Sequence, residues 1–74
     1  MNNLEDVSNE EIENAINSWI HSERDRIILK KRLIDGYTFQ RISDYLFTEH
    51  DIVLSVRSIS RIVPKLESKL FKHI

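Results

Sequence analysis

From position 12 onward, apolar side chains return at intervals of three and four residues, the period of helices that bury one face. Ile12, Ala15, Ile16, Trp19 and Ile20 form the first stripe and predict a helix over about 9–20. Ahead of it, Ser8-Asn9-Glu10-Glu11 has the form of a capping box, with Val7 and Ile12 placed as a hydrophobic staple. Ile27, Ile28, Leu29, Leu33 and Ile34 are apolar over a wider arc, so a second helix, capped by Ser22, is expected to be central. Glu23 and Asp25 sit in its first turn and Lys30, Lys31 and Arg32 near its end, each where the helix dipole favours that charge. Gly36 follows as a left-handed C-terminal cap.

Thr38 is a candidate N-cap for a third helix over about 39–47, with Phe39, Ile42 and Leu46 inward. Ser43 is small enough to sit where another helix crosses closely, and it can equally be an exposed polar residue. The stretch from Phe47 to Leu54 then reads as a long connection, with Ile52-Val53-Leu54 a brief extended piece. A fourth helix runs from about Ser55 to Lys72, burying Val56, Ile59, Val63, Leu66 and Leu70. Pro64 lies inside it. A proline there removes the hydrogen bond to the Ser60 carbonyl at a cost of about 3 kcal/mol, so the helix is expected to bend near 60–64 or to split.

Composition agrees with the pattern. One Gly and one Pro in 74 residues leave little turn chemistry for a sandwich or barrel. The fold expected is all-α: a small bundle of about four helices over 8–74 ending in a helix-turn-helix, with 1–7 as a frayed tail. With no cysteine, disulfides and thiolate metal sites are excluded, and no apolar run approaches the ~20 residues of a membrane span. The acidic, polar start has no secretory character, so the cytoplasm is the expected compartment.

Net charge is −1, but it is unevenly laid out. Residues 1–25 carry seven acidic groups against Arg24, and residues 26–74 carry ten basic groups against five acidic ones. Arg57, Arg61, Lys65 and Lys69 recur every four residues on helix 4, opposite its apolar side, as one basic stripe. A short helix followed by a cationic amphipathic helix suggests a helix-turn-helix whose second helix enters a DNA groove. The residues singled out for DNA are Thr38, Gln40 and Arg41 at the start of helix 3, and Ser55, Arg57, Ser58, Ser60 and Arg61 at the start of helix 4. Lys65 and Lys69 are either phosphate contacts or solvated charges. Arg57 and Arg61 can each take a guanine edge in bidentate fashion, and the serines can donate to phosphates or bases.

Two stretches carry a family resemblance: Glu23 to Leu29 with Asp35-Gly36-Tyr37-Thr38-Phe39-Gln40-Arg41-Ile42-Ser43-Asp44-Tyr45-Leu46, and Leu54 to Arg61 with Lys65-Leu66-Glu67-Ser68-Lys69-Leu70. Over about residues 22–72 the chain resembles region 4 of the sigma-70 factors. It is also similar to the ArpU- and RinA-type regulators of phages and prophages in Gram-positive bacteria. The resemblance implies a helix-turn-helix on double-stranded, promoter-type DNA and extends to RNA polymerase as a second partner. The long connection, Pro64 and the lack of other sigma regions depart from the pattern, so a complete initiation factor is not expected.

No cofactor or metal site is expected, because His21, His50 and His73 fall on different elements without ligand spacing. No phosphate loop or nucleophile motif is present, which argues against an enzyme. The rival reading is a sigma-like protein-interaction module that uses the acidic N-terminal segment, Glu11 and Glu13 included, with no DNA contact. Trp19 and the tail after Pro64 are candidate homodimer contacts that neither reading requires.

Overall fold

A computed structural model describes residues 8–73. Among them the chain is all-helical, without a strand: α1 is Asn9–Trp19, α2 is Glu23–Leu29, α3 is Phe39–His50 and α4 is Val56–Phe71. The expected tail and the staple residue Val7 lie outside the described residues.

Each helix begins where a small hydroxyl side chain can take an unsatisfied backbone donor. Ser8, Ser22, Thr38 and Ser55 cap α1 to α4, accepting from the amides of Glu11, Asp25, Arg41 and Ser58 respectively. Glu11 makes a different contact from the reciprocal one of a capping box: its carboxylate accepts from the Ser8 hydroxyl at 3.4 Å, side chain to side chain.

The second helix does not end as a regular α-helix. It widens into a π segment, Lys30–Ile34, before Gly36 turns the chain with φ of +71°. The Tyr37 amide donates back to the Lys31 carbonyl at 2.9 Å, closing the turn around that glycine. A Cβ at Gly36 would meet no atom within 4 Å, so alanine there is opposed by backbone conformation alone. Gly36→Ala is expected to cost about 1 kcal/mol, lowering the melting temperature by roughly 4–8 °C in thermal denaturation.

Two apolar clusters form the core, and α2 joins them. Leu29 packs with Ile12, Ile16, Ile20 and Leu70, tying α2 to α1 and to the far end of α4. Its neighbour Ile28 faces the other way, into Ile42, Leu46, Ile59 and Val63 from α3 and α4. Consecutive residues on a helix point about 100° apart, so a wide apolar arc is what a helix sandwiched between two clusters needs.

Several expectations are corrected or narrowed. Helix α3 runs three residues beyond 47, to His50. It stops at Asp51, whose φ of 55° supplies a left-handed cap without a glycine. The connection to α4 is therefore the short stretch 51–55, close to the ordinary turn of the motif. Pro64 does not split α4, which is one 16-residue helix. The proline ring is on the exposed side, so the Ser60 carbonyl it deprives of a donor is on the side that water reaches. Val56 and Leu66 are only half-buried, while Ile59, Val63 and Leu70 are fully enclosed. Trp19, in the apolar stripe of α1, is 43% exposed and lies flat against the His73 ring, with centroids 3.8 Å apart.

Candidate nucleic-acid interface

The connection before α4 is fastened at several points. The Ile52 amide donates to the Leu46 carbonyl at 3.0 Å, continuing the left-handed cap at Asp51. The Ser43 hydroxyl, half-buried on α3, donates to the Leu54 carbonyl at 2.6 Å. Ser43 is thus neither a mere spacer nor a solvated residue: it pins the chain one residue ahead of the α4 cap. Ile52 and Leu54 pack against the cluster of α3 and α4, and Ser55 then starts α4. Ile59 and Val63 anchor that helix from beneath. Its first two turns are held firmly, with the other side of the helix left open.

On that open side stand Arg57, Arg61, Lys65 and Lys69, all exposed. Among the described residues none of them, nor Lys72, has an ion-pair or hydrogen-bond partner from its charged group. The basic residues of the second helix are used differently. Arg24 pairs with Asp25 at 3.0 Å, Lys30 reaches Glu13 at 3.8 Å and Lys31 holds Asp35 at 3.1 Å. Arg26 donates to the Ile20 carbonyl at 2.6 Å and Arg32 to the Tyr37 carbonyl at 3.0 Å, so both guanidiniums clamp backbone. Cations in the first half of the helical domain hold the fold, and those of α4 are left for solvent or a partner.

The hydroxyl and amide candidates are narrower than their sequence positions suggest. Ser55 accepts from the Ser58 amide and donates to the Ser58 hydroxyl, both at 3.1 Å. Ser60 donates to the Arg57 carbonyl at 2.7 Å. Ser58 still has its own O–H to give, since its oxygen only accepts from Ser55. Thr38 is in the same position, because its oxygen accepts from the Arg41 amide at 3.2 Å. Gln40 uses one amide donor on Asp44 at 3.1 Å. Arg41 lies over the Tyr37 ring, its guanidinium 4.2 Å from the centroid.

Tyr37 is the centre of a cation–aromatic stack that sequence reasoning passed over. Lys31 lies 5.1 Å from its ring and 4.4 Å from that of Tyr45, and the two tyrosines meet edge to face at 6.2 Å. Part of the signal was present in the spacing, since Lys31 and Asp35 are four residues apart at the end of the second helix. The hydrogen bond to the Asp35 carboxylate raises the Lys31 pKa above its ordinary 10.5. A raised lysine stabilises the fold fully below its ordinary value, and that contribution is lost as pH rises through the raised one.

Among the described residues no group of three or more His, Asp or Glu side chains is placed to hold a metal ion, and no helix is long and apolar enough to cross a membrane. Comparisons of the chain with protein-family models, with curated proteins and with solved structures give no match.

Proposed function

We propose that this chain is a small sequence-specific DNA-binding transcriptional regulator, with α3 and α4 as its helix-turn-helix. The observation that carries this reading is the sorting of the cations. Five from Arg24 to Arg32 are consumed inside the fold, while the five from Arg57 to Lys72 are unpaired among the described residues. Uncompensated like charges along a rigid helix repel one another, and a polyanion relieves that repulsion. Residues 1–25 balance the total charge, which is why the overall −1 does not argue against nucleic acid.

Position along the helix assigns roles. A recognition helix lies in the major groove with its N-terminal residues at the base edges, so Arg57, Ser58 and Arg61 meet bases and Lys65 and Lys69, further along the 16-residue α4, meet flanking phosphates. Thr38 and Arg41, opening α3, are the contacts to the nearer backbone. RNA polymerase, implied by the resemblance to sigma region 4, is the protein partner that belongs to this reading, and the cytoplasm is its compartment. In the rival interaction-module reading Glu11 and Glu13 are the working surface; both are exposed, with the Ser8 hydroxyl at 3.4 Å and Lys30 at 3.8 Å beside them.

A residue-resolved NMR titration with a mixed-sequence duplex, at low salt and again at about 0.15 M, tests the proposal. Shifts should concentrate in 38–41 and 55–69 and weaken with salt. With about four to six phosphates neutralised, log K falls against log salt with a slope of about −4 to −5. An absence of shifts even at low salt would end direct DNA binding as the function.

A further inference from the structure

The geometry points to Val53 as an additional base-reading residue, one that recognises the 5-methyl group of thymine next to the bases taken by Arg57 and Arg61. This inference rests on the DNA-binding reading and adds to it an apolar contact on the connection, outside the basic stripe. Among the described residues Val53 is the most exposed of the large apolar side chains, at 81%. Its neighbours Ile52 and Leu54 are turned into the α3–α4 cluster. In extended chain, adjacent side chains point to opposite sides, so fastening both neighbours inward holds Val53 outward.

The fastening is built, not incidental to the loop. The Ile52 amide is held by the Leu46 carbonyl at 3.0 Å and the Leu54 carbonyl by the Ser43 hydroxyl at 2.6 Å. Asp51 carries a left-handed φ of 55° to bring the chain round to that course. A β-branched side chain is stiff at χ1, so Val53 is presented in one orientation with little freedom left to lose on contact. It stands two residues before the α4 cap, about 7 Å along the chain from Ser55, at the edge of the segment proposed to enter the groove.

The chemistry of the groove supplies the ligand. On major-groove edges the thymine methyl is the apolar feature, and neither guanidinium nor hydroxyl groups can read it. The acidic pair Glu49 and Asp51 just before Val53 is repelled by phosphates. That repulsion keeps the C-terminal end of α3 off the backbone and confines contact to Val53 and the residues C-terminal to it.

The test uses a duplex enriched from a random-sequence pool by the wild-type chain, together with copies in which single thymines are replaced by deoxyuridine, which lacks only the methyl. Fluorescence anisotropy is read for wild type, Val53→Ser and Phe47→Ser, the last altering a second exposed apolar side chain on α3. At one thymine position the wild type should lose about fourfold in affinity on removal of the methyl, the worth of one buried methyl group. Val53→Ser should bind both duplexes alike, with its melting temperature unchanged, while Phe47→Ser keeps the wild-type ratio. Equal binding of every deoxyuridine duplex by the wild type, or a thymine preference that survives in Val53→Ser or vanishes in Phe47→Ser, would overturn the assignment and leave DNA binding intact. Failure of the wild type to bind any duplex at low salt would overturn both.

Discussion

Replacing Arg57 and Arg61 together by alanine is expected to abolish specific duplex binding and leave the fold untouched. Both side chains are exposed and unpaired among the described residues, so their removal deletes no internal contact. Surface changes of that kind stay within about 0.5 kcal/mol of stability, a melting shift of no more than roughly 2–4 °C in a domain this small. On DNA each arginine that takes a guanine edge contributes about 1–3 kcal/mol, so the pair accounts for at least about a thirtyfold change in dissociation constant. Anisotropy titrations on an enriched duplex measure it, with circular dichroism as the check on folding. Lys65→Ala with Lys69→Ala makes the informative contrast. If those lysines meet phosphates, affinity drops similarly on all sequences and the salt slope becomes shallower by about 2, with sequence preference retained. Wild-type affinity in the double arginine variant would refute α4 as the reading helix. Loss of a protein complex on charge reversal of Glu11 and Glu13, with DNA indifferent, would point to the interaction-module reading instead.

The second large effect is on the fold itself. Ile59→Ala is expected to destabilise the chain by about 2–5 kcal/mol, because the side chain is completely enclosed against Ile28, Ile42, Leu46 and Val63. At 74 residues, total stability is of the order of 4–11 kcal/mol, so this one substitution removes a large share of it. The melting temperature should fall by at least about 10 °C in a thermal scan, and Ile59→Val by much less. Since Ile59 lies on the underside of the turns that carry Arg57 and Arg61, DNA binding should weaken along with folding. That joint loss separates a supporting residue from a contacting one: Arg57→Ala acts on affinity alone, Ile59→Ala on both. A melting temperature within roughly 2–4 °C of wild type would show that α4 is held mainly from elsewhere.

The helix starts were legible in the chain because capping is a local event. A hydroxyl at Ser8, Ser22, Thr38 or Ser55 takes an amide only three residues ahead, so the whole interaction lies within one stretch of sequence. Gly36 and the four-residue recurrence of Arg57, Arg61, Lys65 and Lys69 were legible for the same reason: local backbone geometry and helical period decide them. The buried set of α4 came through in outline, with Ile59, Val63 and Leu70 enclosed and Val56 and Leu66 at the margin.

Features that depend on partners distant in the chain emerged only when the helices had crossed. The Ser43 hydroxyl meets a carbonyl eleven residues on, Lys30 is held by Glu13 from another helix, and Trp19 faces His73. The end of α3 at Asp51 belongs here as well, since its left-handed turn is backed by Ile52 and Leu54 packing beneath α3 and α4. Among the cation contacts only that of Lys30 needed such a crossing; Arg24 with Asp25, Lys31 with Asp35, Arg26 with Ile20 and Arg32 with Tyr37 all join groups within six residues of one another. A cap or a stripe is settled within a few residues by hydrogen bonds and helical period. A contact such as Ser43 with Leu54 or Lys30 with Glu13 is settled by how the helices pack, and that depends on the shapes of two apolar clusters assembled from every helix of the bundle.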